Sequence, residues 1–381
     1  MKALLSRLYR AALEGADPEA AVRRALLRQD VVRALRGAQW IGVFAAGKAA
    51  AAMVRGARPV GASRTLTVLP RGDPARGLER REVLFASHPE PDRSSVRAAR
   101  RALRFFRSFG RGDAILCLIS GGASSLLALP RAGLSLDRKR RAVAALARSG
   151  ASILEVNRLR TSLSAVKGGR LGHATKARLV TLVLSDVPGD RAAAVGSGPT
   201  VRGRRGDVVR IVASNRDGLD AAAREARRLG FSVVRQRRRL SGEARAAGRR
   251  LARTAGKLRS ASVLLAGGET VVSLEGRIGR GGRTLEVALA AAGILEGTDL
   301  ALLAASSDGR DGNSGAAGAY ADGGTLARAR RRGQNAAEAR RRHDTRAFFR
   351  AAGGLFVTGP TGGNVGDWAF VLRNRPPRRS V

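Results

Sequence analysis

The stretch Gly42–Ala49, GVFAAGKA, is one residue short of a nucleotide-binding P-loop. The pattern G-x-x-x-x-G-K-[ST] holds through Lys48, after which Ala49 stands where a Ser or Thr would hold magnesium. An apolar run ends at Gly47 and an alanine-rich helical run follows. Lys48 is therefore expected at a helix N-terminus, beside free backbone N–H groups, where geometry and dipole favour an anion. A lysine is itself unfavourable at the positive end of a helix. The placement predicts contact with a phosphate or carboxylate, against the plainer reading of an exposed first-turn lysine. A true P-loop is not supported, because the hydroxyl is missing and no strand-borne Asp accompanies it in the P-loop manner.

Other turns carry candidate chemistry. ISGGASS (119–125) offers the hydroxyls of Ser120, Ser124 and Ser125 around Gly121 and Gly122, whose backbone can approach a ligand. LSDVPGD (184–190) puts Asp186 just past a buried strand. A carboxylate there can bind magnesium, accept a proton from a hydroxyl, or cap the next element. AGGET (266–270) holds Gly267, Gly268 and Glu269, and Arg283 follows three glycines at the start of a helix. A planar, always-charged fork there suits phosphate or carboxylate. SSDGRDG (306–312) places Asp308 and Asp311 in a glycine-rich loop without EF-hand spacing, and TGPTGGNVGDW (358–368) adds Thr358, Thr361, Asn364 and Asp367 around a Gly-Pro turn. His88, His173 and His343 are too few and too separated for a zinc site. The chain has no G-x-S-x-G elbow and no G-x-G-x-x-G after a first strand, so triad hydrolysis and a conventional dinucleotide fold lack support.

These turns close short apolar runs such as WIGVFAAG, AILCLISGG, LVTLVLSDV and DLALLAASSDG, which alternate with helical patterns. Strands alternating with helices predict a mostly parallel α/β sheet, and ligands in such sheets bind at the carboxyl ends of the strands. The helical stretch 240–262 precedes a fresh strand series. A division near 257 is expected, giving domains 1–256 and 257–375 and a short tail at 376–381.

Composition narrows the partners. The net charge is +41, yet lysines number six, so 71 − 6 = 65 of the basic residues are Arg. That skew, with abundant Ala and Gly, is what a GC-rich genome produces. The arginines are scattered and aromatic residues make up 4%. Specific nucleic-acid binding is not expected, whereas salt-sensitive adhesion to polyanions is. The single Cys117 lies in an apolar run and permits no internal disulfide, which fits a reducing cytoplasm. The N-terminus reads as an amphipathic helix, and no apolar stretch is long enough to span a bilayer.

Taken in order, SHPEPD (87–92), LISGGASSLL (118–127), EVNRLRTSLSAVKGGRL (155–171), LSDVPGD, GSGPT (196–200), GGET (267–270), GRGGRTLEVAL (279–289), SSDGRDG, AAGA (316–319) and TGPTGGNVGD (358–367) resemble the type II glycerate kinases of the MOFRL/DUF4147 family. The resemblance runs over nearly the whole chain. It implies an N-terminal Rossmann-like three-layer α/β/α domain, a C-terminal α/β MOFRL domain, and a site in the cleft between them. It implies phosphorylation of D-glycerate by ATP with Mg²⁺, usually to 2-phosphoglycerate, by a monomer or homodimer with no membrane partner. Lys48 and Arg283 fall on the family's catalytic lysine and arginine, Asp186 on its strand-end aspartate, and Ser120, Gly121 and Gly122 on its SGG turn. With these go Ser124, Gly267, Gly268, Glu269, Asp308, Gly359, Thr361 and Asn364 as nucleotide contacts, and Asp186 and Asp308 as metal ligands. Ala123, Thr284, Leu285 and Gly315 depart from the family pattern, each removing a polar group or a glycine expected near the site. Two other readings stand beside this one: a hydroxypyruvate reductase, a name some members carry, and a polyanion-binding protein on an old kinase fold.

Overall fold

The computed structural model describes residues 1–150, 153–274 and 278–374. The expected tail at 376–381 lies outside the described residues. The chain folds as two compact units, one of residues 17–214 with 362–364, the other of residues 1–16 and 215–361 with the strand that follows Val365.

The first unit holds β1 (Ile41–Ala46), β2 (Arg64–Pro70), β3 (Val83–Ala86), β4 (Ala114–Ile119), β5 (Arg178–Ser185) and β6 (Val208–Ser214). They form one sheet in the order β3-β2-β1-β4-β5-β6, and every neighbouring pair is parallel. β4 is buried at every position and β5 at all but its first, as expected for parallel strands covered on both faces. The helix Arg93–Arg107 shows how one face was chosen. Asp92 caps it by accepting the Ser94 and Ser95 amides, and Ala98, Ala99, Ala102 and Phe106 turn inward. They join Phe44, Ile115, Cys117 and Leu179 in a single core. The strand order reverses between β1 and β4, which is the crevice where doubly wound sheets take their ligands.

The second unit holds β7 (Ser232–Arg235), β8 (Ser262–Gly268), β9 (Leu300–Ser306), β10 (Gly318–Asp322), β11 (Leu355–Phe356) and β12 (Asp367–Arg373). Their order is β11-β10-β9-β12-β8-β7. Here the expectation of a mostly parallel sheet fails. Only the β7–β8 pair is parallel, and the others run antiparallel. The segment joining β9 to β10 contains no helix, and a parallel pair needs a longer crossover than that segment provides. β12 then returns between β8 and β9. Leu251, Leu285, Leu302, Phe348, Phe349 and Val371 belong to this unit's core.

The chain passes from one compact unit to the other at Ser214/Asn215. The helices Asn215–Arg228 and Ala244–Ala255 flank β7, and β7 pairs forward with β8. Asn215 is buried, and its amide donates to the carbonyls of Val365 (2.9 Å) and Asp367 (3.0 Å). The N-terminal helix Lys2–Gly15 also belongs here. Its Tyr9 donates to the Ser306 carbonyl at 2.7 Å and stands edge-on to Phe356 and Trp368. Nonlocal partners thus decide a boundary that local composition does not mark.

Candidate functional site

In the first unit the turns after β1 and β4 are laced together. The Lys48 amide donates to the Gly121 carbonyl at 2.9 Å, and the Ala49 amide donates to Ser120 Oγ at 3.1 Å. The amides expected to face an anion are therefore taken by the neighbouring turn. What the turn offers a ligand is the half-buried Lys48 side chain, held at the switch point. Gly122 adopts φ +88°, a conformation that disfavours any side chain, and opens the short helix Ala123–Leu126. A Cβ there would lie 3.2 Å from the His88 ring and 3.3 Å from Lys48 Cγ. At Gly121 a Cβ would lie 1.8 Å from an Asp186 carboxylate oxygen, so only glycine lets the two strand ends approach. Asn364 Nδ2 reaches the same oxygen at 3.5 Å. One unit thus brings together Lys48, Ser120, Gly121, Gly122, Asp186 and Asn364 from the sequence-derived candidates, and adds His88.

Ser124 sits one turn along that short helix. It accepts from Lys167 Nζ and lies 3.0 Å from Ser197 Oγ. Lys167 is 4% exposed, and burial, then Lys139 and Arg160, push its ammonium down to about 7. Lys139, in the helix Leu136–Arg148, is 5% exposed, and burial, then Arg160 and Arg170, push it down to about 8. Its Nζ has no hydrogen-bond partner among the described residues. In the unfolded chain it titrates near 10.5, so the folded state carries a penalty that is full below pH 8 and fades as pH rises toward 10.5. Lys139→Met is expected to stabilise the protein at pH 7 by on the order of 2 kcal/mol. The gain should shrink toward pH 10, a trend that thermal melts across this range would record.

The second unit presents an arginine cluster. Arg283 is the first residue of the helix Arg283–Leu295. Its Nε and Nη2 donate to the Asp367 carboxylate at 2.5 and 2.9 Å, and Nη1 lies 2.5 Å from Glu269. A guanidinium carries five N–H donors. With these contacts made, each terminal nitrogen retains one N–H for another acceptor. Asp311 caps the helix from outside, accepting the Thr284 and Leu285 amides at 3.1 and 2.9 Å. Burial would lower the guanidinium, but Asp367 and then Glu269 outweigh it and hold Arg283 above its ordinary value. Burial pushes the Asp367 carboxyl up to about 7, against the pull of Arg283.

Other candidates in this unit serve its own packing. A Cβ at Gly267 would meet the Asn215 side chain, and one at Gly268 the Leu240 carbonyl. The two glycines are needed for those approaches. Asp308 accepts from Ser306 Oγ and the Arg310 amide, both at 2.9 Å. The Thr361 amide donates to the Asp308 carbonyl at 3.3 Å and its hydroxyl to the Ser307 carbonyl at 2.5 Å, so the Asp308 and Gly359–Thr361 loops pack together. Of the departures, Ala123 and Leu285 are fully buried and belong to the two cores. Thr284 is buried also and donates to the Ala317 carbonyl at 3.4 Å.

Among the described residues no three His, Cys, Asp or Glu side chains group closely enough to hold a metal alone. Mg²⁺ does not require that. It is commonly bound through one or two carboxylates, with substrate phosphates and water completing the shell. Asp186, a hard oxygen donor at a turn stripped of side chains by Gly121, fits such a role. No described helix is long and apolar enough to cross a membrane.

The sequence reading named Asp367 as a polar residue of its turn but missed its pairing with Arg283, and it missed the place of His88 and the burial of Lys139 and Lys167. His88 lies in SHPEPD, a signal too weak alone.

Residues 4–227 match the domain of unknown function DUF4147, and residues 262–367 match the MOFRL family. The first match runs past the unit boundary at Ser214, so the conserved block and the compact unit do not coincide. The chain is 33% identical to a glycerate 2-kinase of Pyrococcus horikoshii, covering 96% of each protein. It is 39% identical to an Agrobacterium vitis protein named as a hydroxypyruvate reductase, over 87% of this chain and 98% of that one. A solved glycerate kinase from Thermotoga maritima aligns with TM-score 0.86 at 31% identity, over 98% of this chain and 99% of that one.

Proposed function

The chain belongs to the glycerate kinase family built from DUF4147 and MOFRL domains, and from that premise we propose that it transfers the γ-phosphoryl of ATP to the 2-hydroxyl of D-glycerate. As a glycerate kinase it is a phosphotransferase with an alcohol acceptor. The observation that carries the reading is the convergence of Lys48, the SGG turn and Asp186 at the sheet's switch point.

Phosphoryl transfer leaves a protein little covalent work, so catalysis is positioning and charge stabilisation. The Gly121–Gly122 backbone leaves room for a phosphate chain. Lys48 neutralises charge on the migrating group, and Arg283, held by Asp367 and Glu269, is the second catalytic cation that the family resemblance implies. The substrate oxygen forms a bond to the γ-phosphorus as the bond to the ADP oxygen breaks. Asp186 accepts the hydroxyl proton, or would hold Mg²⁺ by a carboxylate oxygen with the proton then passing to water. When bound, the ion neutralises phosphate charge.

The test is ADP release with D-glycerate, ATP and Mg²⁺, with the product read by ³¹P NMR. A 2-phosphoglycerate signal is expected. A 3-phosphoglycerate signal overturns the position of transfer, and no ADP above background overturns the kinase reading. The Agrobacterium relative's name and the nucleotide-type strand order favour a second reading, hydroxypyruvate reduction. Against it, GVFAAGKA after β1 lacks the dinucleotide glycines. NADH oxidation by hydroxypyruvate faster than glycerate phosphorylation would reverse the order.

A further inference from the structure

We infer that the cavity beside Ser124 is a small-anion site, in which Lys167 and Lys139 take the carboxylate of the acceptor substrate. This deepens the kinase reading and rests on it, since that reading leaves the acid group of D-glycerate without a partner.

The cavity measures about 610 Å³ and lies within the first unit. Pro89, Pro91, Ala128, Val143 and Ala144 make an apolar wall, and Ser124, Lys139, Arg160 and Lys167 add donors. Two ammonium groups, each about nineteen-twentieths buried, thus line one cavity, and the Nζ of Lys139 meets no acceptor among the described residues. Arg160 and Arg170 add like charge. The acids at the cavity do not relieve it. Glu90 is 78% exposed in its side chain and pairs with Arg140 at 2.8 Å, and Asp137 is exposed in the first turn of the helix Leu136–Arg148.

Buried cations are costly unless they meet an anion; Lys139 has no acceptor among the described residues and Lys167 donates to the neutral Ser124 hydroxyl, so an anion in the cavity relieves both. The apolar wall and the paired charges suit a short carbon chain with one anionic end. Placement argues for the acceptor over the nucleotide. Ser124, which receives the Lys167 hydrogen bond, is two residues beyond Gly122 in the same turn. An acid anchored there extends toward Lys48 with its hydroxyl end, while the phosphate chain keeps the SGG turn.

With only six lysines, protein labelled at lysine ¹³Cε gives a spectrum simple enough to follow each one. The signals of Lys139 and Lys167, assigned by their loss in Lys139→Met and Lys167→Met, should move on adding D-glycerate alone, while Lys2, Lys176 and Lys257 stay. In kinetics each variant should raise KM for D-glycerate by about tenfold or more, with KM for ATP changed far less. Signals that move with ATP alone, or with neither compound, overturn the inference, and so does a KM loss falling on ATP. The NMR titration uses the unsubstituted chain, so it stands even if a variant fails to fold. If the protein does not phosphorylate D-glycerate but the two signals still answer to it or to lactate, the kinase reading fails and the anion site survives.

Discussion

Lys48→Ala is expected to lower kcat for glycerate phosphorylation by about 10³-fold or more, with little change in the melting temperature. The magnitude is that of removing a cation or donor aimed at charge that develops in the transition state. The structural half of the prediction follows from the turn. Its scaffold is made of backbone bonds, from the Lys48 amide to the Gly121 carbonyl and from the Ala49 amide to Ser120 Oγ, and alanine keeps both. Rapid-quench measurement of the first turnover with a parallel melt checks both parts. Unchanged turnover removes Lys48 from the reaction.

Arg283→Ala should cost both activity and stability. Loss of the second cation is expected to reduce kcat by about 10²- to 10³-fold. It also strands the Asp367 carboxyl, which is 2% exposed and loses its bidentate partner. Breaking a buried pair in this way costs on the order of 3 kcal/mol when the remaining group stays charged. Protonation relieves part of that, which gives the effect a pH signature. Even with Arg283 present, burial holds the Asp367 carboxyl up near 7, and without it the value rises further. In the unfolded chain the group titrates near 3.8, so between these values the folded state binds the extra proton. Stability of the variant should therefore fall as pH rises through 7, more steeply than that of the unsubstituted protein. Melts between pH 5 and pH 9 read this directly. A flat difference across that range would show that Asp367 is not the group left behind.

What could be read from the sequence was what is local. GVFAAGK, SGG and SDV each carry a strand end, a turn and a polar residue within a few positions, and the first unit places all of them at its switch point. The continuous apolar runs of β4 and β5 announce a sheet buried on both faces. What could not be read depends on partners far along the chain. β7 pairs with β8 and Asn215 bonds to Val365 and Asp367, so the segment from Asn215 onward packs with the second unit. β12 enters between β8 and β9, which no local pattern encodes. The Lys48 amides looked available because the facing turn, more than seventy residues away, was not in view. Lys139 sits in an arginine-rich helix that reads as a solvated face, and only the packing around it shows an ammonium turned inward.

The central claim is that Lys48, at the switch point of the first unit's sheet, acts on the migrating phosphoryl group. The measurement that tests it most directly is a crystal structure with ADP, aluminium fluoride, Mg²⁺ and D-glycerate bound. The account predicts that the Lys48 ammonium hydrogen-bonds a fluoride ligand. A complex in which that ammonium faces away from the fluoride, with the acceptor hydroxyl in line, would contradict it.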